Sequence, residues 1–271
     1  MAAMATSYAN YLKVRELIGL QQCLSDPPEH DETLFIIVHQ VYELWFRQIL
    51  HEVDTILKAL AEDRPRAAVR LYRRIHEIQQ VLIRQIAVLE TMPPAEFLRF
   101  RDHLKPASGF QSFQFREMEF AAGLREPAYL DSYRGEPDLA DRLKRRLEGP
   151  TLGLGWGRLL AHRGFDFPEL TPALPAAEAD ARRGRRMKAL LSIYSDPDGH
   201  LDLYDLAEAM VEFDENLSMW RFRHIRMVER MIGHKQGTGG SEGVGYLQTT
   251  LAKKCFPELW EVRTHLGGGA W

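Results

Sequence analysis

Leu206, Met210, Phe213, Leu217, Trp220, His224, Met227 and Met231 recur in alternating steps of three and four. That spacing lines side chains along one face of an α-helix, and a face this long has to be covered by other elements. Gly233 marks its end. The stretch from Asp31 to about Leu60 repeats the pattern without Pro or Gly: Leu34, Ile37, Val41, Trp45, Ile49, Val53, Ile56 and Leu60 form one row. Phe35, His39, Tyr42 and Phe46 form a second row beside it. A helix apolar on two faces is buried on both sides or lies against a bound group. Pro65 opens a basic amphipathic helix to about Leu89, Pro93–Pro94 begin a shorter one through Leu104, and another runs from about Phe110 to Ala122. Gly and Pro punctuate Gly123 to Ala176, which predicts short helices and loops there. A charge-rich helix over Glu178–Tyr194, a turn at Asp196–Gly199, a loop at Gly237–Gly243 and a last helix over Pro257–His265 complete the chain. No strand-length alternation, repeat or long linker stands out. The expectation is an all-α fold, a single domain over residues 1–271 with long core helices.

Composition narrows the function. With 35 Lys+Arg against 38 Asp+Glu, the net charge of −3 gives no electrostatic reason to expect nucleic acid or an anionic membrane as partner. Two cysteines far apart, Cys23 and Cys255, cannot staple 271 residues and suit a reducing compartment. Met1–Tyr11 does not read as a signal peptide, and no run of about 18 apolar residues is present. The expected location is the cytoplasm.

Ten histidines against two cysteines raise the question of metal chemistry. His51-Glu52 lacks a second histidine at the zinc-protease spacing, since position 55 is Thr. No histidine has Glu three residues before it, so the Glu-x-x-His pairs of di-iron bundles are absent, and no Cys-x-x-Cys occurs. His39 and His224 sit inside apolar stripes. Each is either a core histidine satisfied by a neighbouring acceptor or a ligand. His224 stands where Leu or Met would be expected, and an imidazole buried there needs partners. What survives is a single axial histidine on a long helix facing a wide apolar cofactor, the geometry of non-covalent haem. Arg101 is a surface ion-pair partner if it points outward; pointing inward, its fork of donors suits a carboxylate. The Gly-rich loop at Gly237–Gly243 has no Gly-Lys-Ser/Thr, so it is no nucleotide P-loop, but it is placed to close over a site beside the histidine helix.

Three long motifs carry a resemblance. His39-Gln40-Val41-Tyr42-Glu43-Leu44-Trp45-Phe46 resembles the HQxYELWF signature of the tryptophan 2,3-dioxygenase family. Phe100-Arg101-Asp102 with Pro106-Ala107-Ser108-Gly109-Phe110-Gln111-Ser112 resembles its FR…PASGFQS segment. Arg223 to Gly233, followed by Gly237-Thr238-Gly239-Gly240-Ser241, resembles its haem-ligand helix and closing loop. The motifs run in the family's order over nearly the whole chain, from Tyr8 to the last helix.

The resemblance implies a haem-dependent, all-helical homotetramer that inserts both atoms of O₂ across the indole C2–C3 bond of L-tryptophan, giving N-formyl-L-kynurenine. Carried over, His224 would be the proximal ligand of ferrous haem b, and His39 would face the indole N–H from the distal side. Phe35 would pack on the indole, Arg101 would pair with the substrate carboxylate, and Thr238 would hold the amino-acid end. Tyr8 and Tyr11 match N-terminal residues that reach a neighbouring subunit's site, with about the first 22 residues packing on that subunit; Ser108 matches a position near the haem. Bacterial members can carry a Tyr four residues before Arg101, where this chain has Phe97, so the number of hydrogen bonds to the carboxylate stays open. A non-catalytic haem sensor or carrier would keep His224 and the pocket without needing Arg101, and a cofactor-free helical scaffold would need neither.

Overall fold

The computed structural model describes residues 6–171, 173–238 and 244–267. Twelve α-helices and no strand are found among them. In chain order they are α1 (Tyr8–Tyr11), α2 (Val14–Leu17), α3 (His30–Ala61), α4 (Pro65–Leu89), α5 (Pro94–Arg101) and α6 (Phe113–Ala122). Then follow α7 (Pro137–Glu148), α8 (Leu152–His162), α9 (Ala176–Ser195), α10 (Leu201–Ile232), α11 (Val244–Thr249) and α12 (Pro257–His265). None of these is long and apolar enough to cross a membrane.

Three long helices organise the molecule. In α3 and α10, 32 residues each, the two stripes seen in the sequence are the faces that meet the core. At 1.5 Å per residue each spans about 48 Å. The Tyr42 hydroxyl donates to the Leu82 carbonyl at 3.0 Å and the Gln85 amide to that of Val38 at 2.9 Å, so α3 and α4 run antiparallel. Gln79 donates to the Phe213 carbonyl at 3.0 Å and Gln80 to Asn216 at 2.7 Å, so α4 and α10 run in the same direction. The continuous core built by these helices includes Phe46, Ile49, Ile75, Leu206, Met210 and Phe213. A smaller cluster of Phe120, Tyr129, Tyr133 and Leu143 lies under α6 and α7.

Pro at the first position starts α4 and α12 where the sequence predicts. The expected helix from Pro93–Pro94 to Leu104 divides instead into α5 and a 3-10 turn over Asp102–Leu104. The next helix begins at Phe113, after a separate 3-10 turn over Gly109–Gln111, because Ser112 caps it by accepting from the Phe115 amide at 3.2 Å. In the Gly-punctuated stretch, Gly153, Gly155 and Gly157 all lie inside α8. A Cβ on Gly155 would meet Leu60 Cδ1 at 3.0 Å, so the missing side chain lets α8 press against α3.

Inside α10, Asp214 is fully buried and its carboxylate accepts from the backbone N–H of Cys255 (2.9 Å) and Phe256 (3.3 Å) and from Trp260 Nε1 (2.9 Å). This one carboxylate fastens the start of α12 to the middle of the central helix. At the other end Gly233 caps α10 with φ +58 and ψ −133, a backbone conformation open to glycine and strained for any other residue.

Candidate active site

A cavity of about 290 Å³ lies between α3 and α10, closed on its sides by α5, the segment from Ser108 to Arg116, and the chain leaving Gly233. Phe35, His39 and Glu43 enter it from successive turns of α3, and Trp220, His224 and Val228 from successive turns of α10. Spacing of four residues on one helix face is what delivers each trio to the same space. Aromatic and aliphatic side chains make most of the wall.

The two histidines differ in how they are held. His39 Nδ1 lies 2.7 Å from the Phe35 carbonyl, which can only accept, so Nδ1 carries the proton and donates. Nε2 is then left with a lone pair. The His39 ring lies 4.1 Å from that of Phe35, centroid to centroid. Burial draws the His39 pKa below its ordinary value, against the opposing pull of the Phe35 carbonyl and Glu43. His224 has no hydrogen-bond partner among the described residues, and its ring lies parallel to Trp220 with centroids 5.1 Å apart. Burial first, and His39 second, push its pKa down to about 4, which leaves a neutral imidazole.

Arg101 and Thr238 stand at the mouth. Arg101 Nη2 donates to the Gln236 carbonyl, and the Thr238 hydroxyl donates to the Ala107 carbonyl at 2.6 Å. These two bonds tie the segment after Gly233 to the end of α5 and to the segment that follows it. Phe97 packs against Phe35 at 5.7 Å and Phe100 at 5.4 Å, adding an apolar wall and no hydroxyl. Ser108 lines the cavity and its hydroxyl accepts from the Phe110 amide at 3.3 Å. The structure thus brings together Phe35, His39, Phe97, Arg101, Ser108, His224 and Thr238. Tyr8 and Tyr11 are not among them: on α1 they are 78% and 75% exposed, away from the cavity of their own chain. Of the Gly-rich loop, Gly239 to Gly243 lie outside the described residues.

Sequence reasoning missed a charged cluster in the wall. Arg116 Nη1 donates to one oxygen of Glu119 at 2.5 Å and Arg221 Nη2 to the other at 2.8 Å, and all three are buried. Glu43, also on the wall, accepts from the Gln114 amide at 2.8 Å. Three arginines (101, 116, 221) therefore face two glutamates (43, 119) around one cavity, an excess of one positive charge. Arg116 Nε has no partner among the described residues. A buried cation left partly unpaired is costly unless an anion arrives to meet it. Arg116 and Glu119 look like an ordinary exposed i,i+3 pair in sequence, so only their burial and the ion pair that Arg221 of α10 makes to Glu119 reveal them.

Haem, the cofactor that the sequence resemblance implies, fits this residue set. No group of three His, Cys, Asp or Glu able to hold a bare metal ion exists among the described residues. A single unbonded imidazole over an apolar cavity suits an iron already held in a macrocycle. The surplus positive charge and the orphaned Arg116 Nε suit the carboxylates such a macrocycle carries.

Fold and site together define a class: an all-helical protein in which two helices carry one histidine each into a single apolar cavity, with an arginine at its mouth. Comparison with known proteins gives the family. A family model described as tryptophan 2,3-dioxygenase matches residues 1–152 and 178–266. A tryptophan 2,3-dioxygenase of Nocardioides sp. is 47% identical over 266 residues, covering 96% of this chain and 94% of the relative. Those of Herpetosiphon aurantiacus (42% identical; 97% and 100% covered) and Myxococcus xanthus (39% identical; 96% and 90% covered) are also similar. The chain belongs to the tryptophan 2,3-dioxygenase family.

Proposed function

We propose that the chain catalyses the haem-dependent cleavage of the indole C2–C3 bond of L-tryptophan by O₂, giving N-formyl-L-kynurenine. The observation that carries this is the placement of His39 and His224 on two helices across one apolar cavity, with Arg101 and Thr238 at its mouth.

In this reading His224 ligates the iron of ferrous haem b, and Arg116 and Ser108 lie on the wall that meets the rest of the cofactor. Bound haem supplies the activation of O₂; the protein supplies ligation, orientation and exclusion of water. Phe35 and Phe97 pack on the indole, and the free Nε2 of His39 accepts the indole N–H. Arg101 exchanges the Gln236 carbonyl for the substrate carboxylate, a charge-assisted bond replacing a neutral one. Thr238 exchanges the Ala107 carbonyl for the amino-acid end of the substrate. The two bonds at the mouth therefore stand in for the substrate's own polar groups. A site that buries such donors rejects analogues lacking the matching acceptor. The exposed Tyr8 and Tyr11 complete the site of a neighbouring subunit in a homotetramer, which gives their 78% and 75% exposure a purpose. The enzyme works in the cytoplasm.

The test is spectroscopic. The purified protein is expected to show a Soret band that is lost in His224→Ala, to change its spectrum on addition of L-tryptophan, and to form product under O₂. A protein that cannot be loaded with haem would overturn the reading. One that binds haem but ignores L-tryptophan would be a sensor or carrier.

A further inference from the structure

Behind the main cavity, on the far side of Trp220, lies a second one of about 10 Å³. By the measure on which one water needs roughly 10–15 Å³, it has room for a single molecule. Three of its lining residues carry buried polar atoms that complete no hydrogen bond among the described residues: Gln79 Oε1, Asn216 Nδ2 and Trp220 Nε1. Gln79 and Asn216 are only 5% and 6% exposed. The other end of each amide is already committed. Gln79 Nε2 donates to the Phe213 carbonyl at 3.0 Å, which leaves its oxygen free. Asn216 Oδ1 accepts from Gln80 Nε2 at 2.7 Å, which leaves its NH₂ free. The Tyr42 hydroxyl donates to the Leu82 carbonyl at 3.0 Å, and its oxygen is a competing acceptor for the Trp220 N–H, whose approach opposes the upward push of burial on the Tyr42 pKa without reaching hydrogen-bond geometry. What remains around the cavity is two donors and one acceptor. A metal cation would meet two N–H groups and an anion would meet an amide oxygen; water alone accepts twice and donates once.

We propose that one water molecule is bound here as a fixed part of the fold, accepting from Trp220 Nε1 and Asn216 Nδ2 and donating to Gln79 Oε1. Native folds rarely leave such atoms unpaired, and buried waters typically make about three hydrogen bonds. Its consequence reaches the main site through Trp220. The indole lies parallel to the His224 ring, 5° from coplanar orientation at 5.1 Å between centroids. Tethering Trp220 Nε1 to α4 fixes the plane of the indole, and the stack then sets the rotation of the imidazole. Gln79 and Trp220 are positioning residues for His224. This second step rests on the reading of His224 as an iron ligand; the water site itself does not.

A crystal structure of the holoenzyme at a resolution that shows ordered solvent tests the site directly. One density peak within hydrogen-bond distance of all three atoms is expected; a dry cavity, or Trp220 Nε1 turned onto the Tyr42 hydroxyl, overturns the proposal. Gln79→Leu removes the acceptor and Trp220→Phe removes the donor while keeping a flat ring. In both, the peak is expected to vanish, the Soret band to remain, and the iron–histidine stretching band of the ferrous protein to shift or broaden. A band unmoved in both variants overturns the positioning role, and if either variant fails to fold the wild-type map still decides the water. Water present in a protein that takes up no haem would refute the cofactor reading and leave the water site standing.

Discussion

Replacing His39 by Ala removes, in the proposed mode of binding, an acceptor for the indole N–H and not a proton shuttle. His39 Nδ1 is committed to the Phe35 carbonyl at 2.7 Å, so one nitrogen alone is available to the substrate. Leaving a buried N–H without its acceptor costs about 1–3 kcal/mol, which is roughly 5- to 150-fold in kcat/KM. A general base is worth about 10²–10⁴ in rate, and its loss falls on kcat. The two ranges overlap, so the decisive quantity is where the loss falls. The expected result is a raised KM with measurable turnover remaining, followed as product absorbance in protein shown to be folded and haem-replete by its Soret band. A substrate analogue whose ring N–H is replaced by sulfur should lose a similar factor against the wild type and be nearly indifferent to His39→Ala. Total loss of turnover in a folded, haem-replete His39→Ala protein would refute the assignment of His39 as an orienting group.

The pH dependence has a definite sign. Burial lowers the pKa of His39 below its ordinary 6.5, so the neutral form, which in the proposed mode of binding accepts the indole N–H, prevails at and above that pH. KM for L-tryptophan should be flat above pH 6.5 and rise as the pH falls below it; a His39-dependent change between neutral and alkaline pH would contradict this. Because the depressed pKa belongs to the folded state, the unfolded chain takes up this proton first, so stability falls as the pH drops from 6.5 toward the folded-state value. Arg101→Gln should lower kcat/KM for L-tryptophan by about 30-fold, the low end of about 2–5 kcal/mol for a broken charge pair at a half-open mouth, and should narrow the preference over tryptamine. Equal losses for both substrates would show that Arg101 does not meet the carboxylate. Asp214→Ala strands three N–H donors and should cost about 3 kcal/mol or more, read as a lower urea midpoint; a change within about 0.5 kcal/mol would mean α12 is held by packing alone. Phe97→Tyr should lower KM for L-tryptophan by several-fold if the new hydroxyl reaches the carboxylate, at about 0.5–1.5 kcal/mol for one hydrogen bond, and an unchanged KM would show that it points elsewhere.

Much of the fold is legible in the sequence because proline and glycine sit at the true ends of α4, α10 and α12. His39 and His224 are legible because each interrupts an apolar stripe, and an interruption in a buried face asks for a partner. Illegible features share one cause: their meaning depends on what packs against them. The glycines of α8 read as breaks until Leu60 and Phe167 are seen filling the space of the absent side chains. Asp214 reads as one more acid in a charged helix until the amides of Cys255 and Phe256 converge on it. The wall charges Arg116, Glu119 and Arg221 come from α6 and α10, and no local spacing pairs them. For Arg101 and Thr238 the family resemblance named the positions, while their present bonds to Gln236 and Ala107 emerge only in three dimensions.

Gly233 divides two incompatible mechanical demands. Upstream, His224 belongs to a continuous helix whose geometry tolerates almost no adjustment. Downstream, Thr238 hangs on backbone outside any helix, its hydroxyl gripping the Ala107 carbonyl, the bond that the proposed mode of binding exchanges for the substrate. With the glycine as a joint, the grip can settle on a substrate without dragging the imidazole. On the proposed reading, loading the cofactor and selecting the amino acid would be separable traits, free to be tuned by different substitutions within one short run of sequence.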